Sequence, residues 1–334
     1  DLTKPAERGP WGQEVWHKSP VSDEYYYGVF WHGMPDLDYH TPAVREEAKR
    51  IAAFWLTEMR VDGFRLDAVP YLVEEGANQI GTAGTHAFLH DYASAIRRVA
   101  PDVFTVGEVW DGLDRMRPYY PDQLESYFAF DLSDSLIAAV RDGSAAPLMR
   151  QVERYQRTVP NERWSTFLRN HDQPRTMTAL DGDARRAKLA ATLLLTLPGL
   201  PFVYYGEEIG MTGDKPDERI RTPMPWDATR NAGFTTGTPW ETLQPDWTTT
   251  NVDAERMDST SLLARYRKLI HLRAAKAALG SGDFVALETG DTRVAGYLRR
   301  GGGRAVLVVV NLDTTAHDGI TLSSAQTVLS PGGY

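Results

Sequence analysis

Between Val61 and Tyr205 the chain repeats one pattern five times: a short apolar run that reads as extended is followed, at once or after a loop, by residues at helical spacing. This alternation constrains the fold more than any other feature, because strand-then-helix units pair into a parallel sheet covered by helices. The extended runs are Val61–Val69, Val103–Val109, Tyr127–Leu132, Trp164–Leu168 and Phe202–Tyr205, the last read as a short buried strand. Thr41 caps a helix with Pro42 in its first turn, and Val44, Ala48, Ile51, Ala52, Trp55, Leu56 and Met59 share one face. Phe88, Tyr92, Ile96 and Val99 mark a helix that stops at Pro101. Further helices are expected from about Ser133, over Ala184–Leu197, and through Leu262, Leu263, Tyr266, Leu269, Ile270 and Arg273.

The flanks differ. Residues 1–40 carry Trp11, Trp16, Tyr25, Tyr26, Tyr27, Phe30, Trp31 and Tyr39 with no sustained period, and read as an irregular excursion. A Pro/Gly-rich loop covers roughly 206–257. From about 282 the runs Val294–Leu298 and Ala305–Asn311 lie between glycine turns, as in an antiparallel sheet. The expected organisation is therefore an excursion over 1–40, a β/α segment over 41–280 and an all-β domain over 281–334. A closed parallel barrel takes eight strands in ~250 residues. With five units, the sheet is open or the first three units are missing, and the loop-like opening DLTKPAERGP favours the second reading.

Composition narrows the function classes. A net charge of −9 argues against a nucleic-acid or anionic-membrane partner and suits a neutral substrate. No stretch approaches the ~20 apolar residues of a membrane-spanning helix. There is no cysteine, hence no disulfide framework or thiolate metal site. That leaves the compartment open, with a secreted or periplasmic location favoured.

Three of the extended runs end in a carboxylate: GFRLDAV at 63–69, FTVGEVW at 104–110 and FLRNHD at 167–172. In a parallel α/β barrel the carboxyl ends of the strands share one rim, where Asp67, Glu108 and Asp172 are expected to converge. Arg65 lies two residues before Asp67, so in a strand both side chains point to the same face. A fixed guanidinium keeps a carboxylate ionised and oriented, which suits a nucleophile; a structural Arg–Asp pair fits the pattern equally. Glu108 sits among apolar and aromatic neighbours, which favour the protonated form that a general acid needs, or it caps the next helix. His171 and Asp172 could hold sugar hydroxyls or form a hydrogen-bonded turn. A zinc-helix reading fails for want of a second His at the right spacing. Two carboxylates in different environments are the minimum for glycosidic cleavage. The aromatics of the first segment offer stacking surfaces for sugar rings, or simply pack.

Taken together, GFRLDAV, VGEVW and NHD, in this order and spacing, resemble the α-amylase family, glycoside hydrolase family 13. MPDLDY at 34–39 is similar to that family's motif near the end of domain B, and YYGEEIGM at 204–211 to its eighth-strand signature. RTPMPWD at 221–227 and NAGFT at 231–235 resemble the branch acting on oligosaccharides, including α-glucosidases and trehalose synthases. YYYGVFWHGMPDLDY resembles a bacterial α-amylase branch intermediate between oligoglucosidases and neopullulanases. The resemblance implies a partial (β/α)8 barrel, strands four to eight, with a C-terminal antiparallel β-sandwich domain. It implies Asp67 as nucleophile, Glu108 as acid/base and Asp172 as the group holding the distorted sugar. Arg65 would orient Asp67, His171 would contact the same sugar, and Trp110 and Arg175 would neighbour the subsites. Retention of configuration implies a separation of ~5–5.5 Å between Asp67 and Glu108. Ala68 after the nucleophile resembles enzymes acting on α-1,4 rather than α-1,6 links.

The family's first region, a strand ending in Asp-x-x-x-Asn-His, has no counterpart. The chain thus resembles a member beginning inside domain B, and a complementary N-terminal barrel segment is expected in the complete protein. The chemistry implied requires no cofactor; a structural calcium ion is compatible with the resemblance, and its site is not assigned. The expected activity is retaining hydrolysis of starch or malto-oligosaccharides. Alternatives are an α-glucosidase, a trehalose synthase or glucanotransferase on the same site, and a non-catalytic binding subunit, which the three carboxylates disfavour.

Overall fold

The structure, a computed structural model, describes residues 7–324, and within them the chain forms two compact units. One comprises the residues up to Trp110 together with Asp114–Phe128; the other comprises Asp111–Leu113 and the chain from Ala129 onwards. Both units draw on the stretch 41–280 expected as one catalytic segment.

In the first unit, β1 (Trp16–Lys18) and β2 (Tyr25–Tyr27) pair antiparallel within the segment expected to be irregular. Their three-residue length is too short to show a period. The helix Pro42–Thr57 follows, then β3 (Gly63–Leu66), the helix Ala83–Val99, β4 (Phe104–Gly107) and β5 (Ser126–Phe128). The strands β3, β4 and β5 are parallel, with Gly63 opposite Phe104, Leu66 opposite Gly107 and Val106 opposite Ser126. Gly63 is required there, because a Cβ would overlap the Phe104 carbonyl. Thr82 caps the second helix by accepting from the Thr85 N–H at 3.1 Å. Leu56, Val73, Phe88, Tyr92 and Ile96 form the core between the helices and strands.

One expectation for the first helix needs correction. The helix begins where expected, but the Thr41 hydroxyl donates to Asp38 at 2.8 Å instead of capping it. Of the predicted apolar face only Ala52 and Leu56 are buried; Ile51, Trp55 and Met59, with Phe54, are exposed. Periodicity reports which residues share a face, not whether a neighbour covers it.

In the second unit the helices Phe130–Asp142 and Ala146–Thr158 precede β6 (Trp164–Thr166), the helix Ala184–Thr196 and β7 (Leu200–Pro201). Strands β6 and β7 are parallel, with Ser165 opposite Leu200. Asp183 caps the Ala184–Thr196 helix through the Arg185 and Arg186 N–H groups. After a long loop holding the short helices Asp217–Ile220 and Val252–Met257, Ser261 caps the helix Leu262–Ala275. Then β8 (Asp283–Leu287), β9 (Val294–Gly301) and β10 (Arg304–Asn311) form an antiparallel sheet with β9 in the middle. The last ten residues of the expected 281–334 domain lie outside the described residues.

Two strand expectations shift. The third extended run ends at Phe128, and helix begins at Phe130 instead of near Ser133. Phe202–Tyr205 is not a strand: the ladder ends with the Phe202 N–H bonded to the Thr166 carbonyl at 2.7 Å, and Val203 and Tyr205 are exposed. Aromatic and β-branched residues mimic a strand there, but the chain turns at Gly206, whose φ is +78°. The described residues thus carry three parallel strands in the first unit and two in the second, where a closed barrel has eight.

Candidate active site

The first unit places Arg65, Asp67 and Glu108 together. Because Leu66 and Gly107 are register partners on parallel strands, the next residues, Asp67 and Glu108, leave β3 and β4 side by side. The ladder continues one step further: the Glu108 N–H donates to the Leu66 carbonyl at 2.9 Å and the Val69 N–H to the Glu108 carbonyl at 3.0 Å. Arg65 forks across both acids. Its Nη1 pairs with Asp67 Oδ1, and its Nη2 lies 2.9 Å from Glu108 Oε1. The second Glu108 oxygen accepts the Ala68 N–H at 3.0 Å. Ala68 supplies that donor from the left-handed region, φ 42° and ψ 42°, turning the chain directly after Asp67.

Exposure separates the acids. Asp67 is exposed, whereas Glu108 is 7% exposed. Glu108 is thus withdrawn from solvent and shares with Asp67 the Arg65 guanidinium. Trp110, three residues past β4, is 51% exposed.

The second unit places His171 and Asp172 beyond β6. The Asp172 N–H donates to Asn170 Oδ1 at 3.0 Å, and His171 Nε2 lies 3.2 Å from Asp172 Oδ2. Asp172 Oδ1 accepts from Arg221 Nη2 at 2.7 Å. Arg221 went unassigned in the sequence reading although its motif, RTPMPWD, stood out. Nothing in local spacing links it to an aspartate 49 residues earlier.

Arg175, expected to neighbour the subsites, lies inside the second unit. It is 1% exposed. Its guanidinium lies over the rings of Tyr204 and Tyr205, 4.6 and 4.7 Å from their centroids, and donates to the carbonyls of Ile220 and Tyr205 at 2.8 and 2.7 Å. Burial pulls its pKa down from the usual arginine range. Among the described residues no three His, Cys, Asp or Glu side chains converge as a metal-holding group, and no residue is assigned to calcium.

Two parallel strands of a β/α scaffold thus end in adjacent carboxylates that share one guanidinium. The sequence model of the family described as the α-amylase catalytic domain matches residues 4–282. The chain belongs to that family, glycoside hydrolase family 13. It is 36% identical over 304 residues to Alpha-amylase 3 of Dictyoglomus thermophilum, covering 90% of this chain and 59% of that protein. It is 33% identical to the trehalose synthase/amylase TreS of Mycobacterium tuberculosis, covering 89% of this chain and 58% of the relative. Among solved structures, an α-amylase from H. orenii superposes with a TM-score of 0.79 at 34% identity, over 93% of this chain and 62% of that one. The chain thus spans about three fifths of the length of these relatives.

Proposed function

We propose that this chain carries the catalytic carboxylates of a retaining α-glucan hydrolase acting on α-1,4-linked malto-oligosaccharides or starch. The observation that carries the reading is the Arg65 fork, which holds an exposed Asp67 beside a buried Glu108. The exposed carboxylate attacks the anomeric carbon and forms a glycosyl-enzyme ester as the glycosidic C–O bond breaks. Glu108 gives its proton to the leaving oxygen, then removes one from the water that hydrolyses the ester. Asp172 and His171 hold hydroxyls of the distorted sugar, and Trp110 offers a stacking face.

A second reading is supported by the relatives named trehalose synthase: the same ester is resolved by a sugar hydroxyl instead of water. An α-glucosidase reading draws on the oligo-1,6-glucosidase of Parageobacillus thermoglucosidasius, 29% identical over 89% of this chain. We also infer that a further barrel segment packs on the first unit. Strand β3 pairs only with β4 among the described residues, Ile51, Phe54, Trp55 and Met59 stand exposed, and a cavity of about 560 Å³ opens beside Leu66 and Phe88.

The test is product analysis on maltoheptaose and maltose with the full-length protein, with the anomer followed in time. Early α-configured malto-oligosaccharides support the amylase reading. Glucose from both substrates supports an α-glucosidase, and trehalose or longer products support transfer. Asp67→Asn is expected to abolish turnover with folding nearly intact; undiminished turnover removes Asp67 from its role.

A further inference from the structure

Resting on that reading, we propose that Arg221 is the positioning residue for Asp172. Three contacts define the arrangement. Arg221 Nη2 lies 2.7 Å from Asp172 Oδ1, and Arg221 Nε donates to the His171 carbonyl at 3.0 Å. Nη2 also donates to Asp217 Oδ2 at 2.8 Å. One planar guanidinium therefore grips the Asp172 carboxylate and the backbone of the turn that carries it. His171 occupies the other carboxylate oxygen at 3.2 Å, so Asp172 is held from both sides.

The position of Arg221 is itself fixed. On one side of it the Ile220 carbonyl accepts from buried Arg175 at 2.8 Å and from the Tyr204 hydroxyl at 3.3 Å. On the other the Thr222 carbonyl accepts from the Tyr205 hydroxyl at 2.7 Å. The carbonyls of both neighbouring residues are thus pinned by tyrosine hydroxyls of the YYGEEIGM segment. Asp217 remains an anion, its pKa lowered first by the hydrogen bond from Lys215, and steadies the guanidinium from the solvent side. Arg221 transfers no proton in this role. It fixes the rotamer of a carboxylate whose work is to meet sugar hydroxyls at defined positions. A lysine offers one point charge in place of the fork and cannot hold side chain and backbone together.

The experiment measures kcat and KM on maltoheptaose, and melting temperature, for the full-length protein and for Arg221→Ala, Arg221→Lys, Asp172→Asn and Arg219→Gln. Arg219 is exposed on the same turn and serves as the control. Arg221→Ala is expected to lower kcat on the order of 100-fold with KM changed little, as misplacement of a reacting-site group by about 1 Å does. Millimolar guanidinium ion should restore part of that loss, and none of the loss in Asp172→Asn. Arg221→Lys should fall between, and Arg219→Gln should match the parent. The proposal is overturned if Arg221→Ala keeps kcat within about twofold. It is also overturned if the loss comes with a lowered melting temperature, is shared fully by Arg221→Lys and is not rescued, which marks a purely structural arginine. Wild-type turnover in Asp172→Asn sinks the underlying site reading instead.

Discussion

Glu207 offers a measurable link between burial and pH. It sits in the turn after Gly206, 5% exposed, with Oε1 accepting from the Tyr266 hydroxyl and Oε2 from Thr176, both at 2.7 Å. Burial pushes its pKa from 4.5 up to about 7; the two hydrogen bonds offset this only in part, and neighbouring Glu208, itself raised by burial, adds to it. The folded state therefore holds a proton that the unfolded chain has released between pH 4.5 and about 7. The stabilisation is whole below the unfolded value and disappears as pH rises through the folded value. A shift of this size corresponds to about 3 kcal/mol once Glu207 is fully ionised, of which about 2 kcal/mol develops between pH 5 and pH 8. Glu207→Gln removes the titration and keeps an acceptor for one hydroxyl. Melting curves of both proteins at pH 5, 6, 7 and 8 isolate the effect as a difference, in which other titrating groups cancel. The variant should gain on the wild type by roughly 4–8 °C across that range at ~2–4 °C per kcal/mol, and level off above pH 8. A pH-independent difference would refute the reasoning, because it would mean that Glu207 ionises alike in the folded and unfolded chain.

Two further substitutions test the packing. Gly63→Ala should cost at least about 2 kcal/mol, because the new methyl meets the Phe104 carbonyl, which belongs to the partner strand and cannot move aside cheaply; an unchanged urea midpoint would dismiss that close approach. Arg299→Leu should cost on the order of 3–5 kcal/mol. Arg299 is fully buried and donates to the carbonyls of Thr196, Gly282 and Asp283 at 2.7, 2.9 and 3.2 Å, so leucine removes three hydrogen bonds, and of these acceptors Gly282 keeps Asn161 Nδ2 at 3.1 Å. Burial lowers its pKa only to about 10, so it remains charged at neutral pH, and a neutral melting temperature for Arg299→Leu would reject the accounting.

The order of elements was legible because hydrophobic period and punctuation are local. The Pro101 stop, the Ala184–Thr196 helix and the strand that ends just before Glu108 follow from neighbours within a few residues. Burial was not legible. The stripe Ile51, Trp55, Met59 has the spacing of a buried face and stands exposed, and Arg175, expected beside the subsites, is among the most buried side chains. Spacing specifies direction, while exposure depends on chain tens of residues away. FVYY failed for a related reason: strand propensity measures fit to a half-buried pleat, and at Val203 and Tyr205 that pleat is missing.

The site shows the same division within one chemistry. Each carboxylate for which a role is proposed is met by an arginine. Arg65 was found because two residues of strand put it on the face of Asp67, a relation that the period of a β-strand fixes without tertiary information. Its second partner, Glu108, depends on the register of β3 against β4, which sequence does not state, and so one arginine's bridge to two acids went unseen. Arg221 was farther still from view. It reaches Asp172 from a loop whose course is set by Arg175, Tyr204 and Tyr205, so its role exists only once those three side chains have fixed the carbonyls on either side of it. Chemistry-bearing acids at strand ends are therefore readable one at a time, whereas the cations that orient them become readable only with strand register and loop anchoring. The arginine without a local signature is for that reason the informative one to mutate.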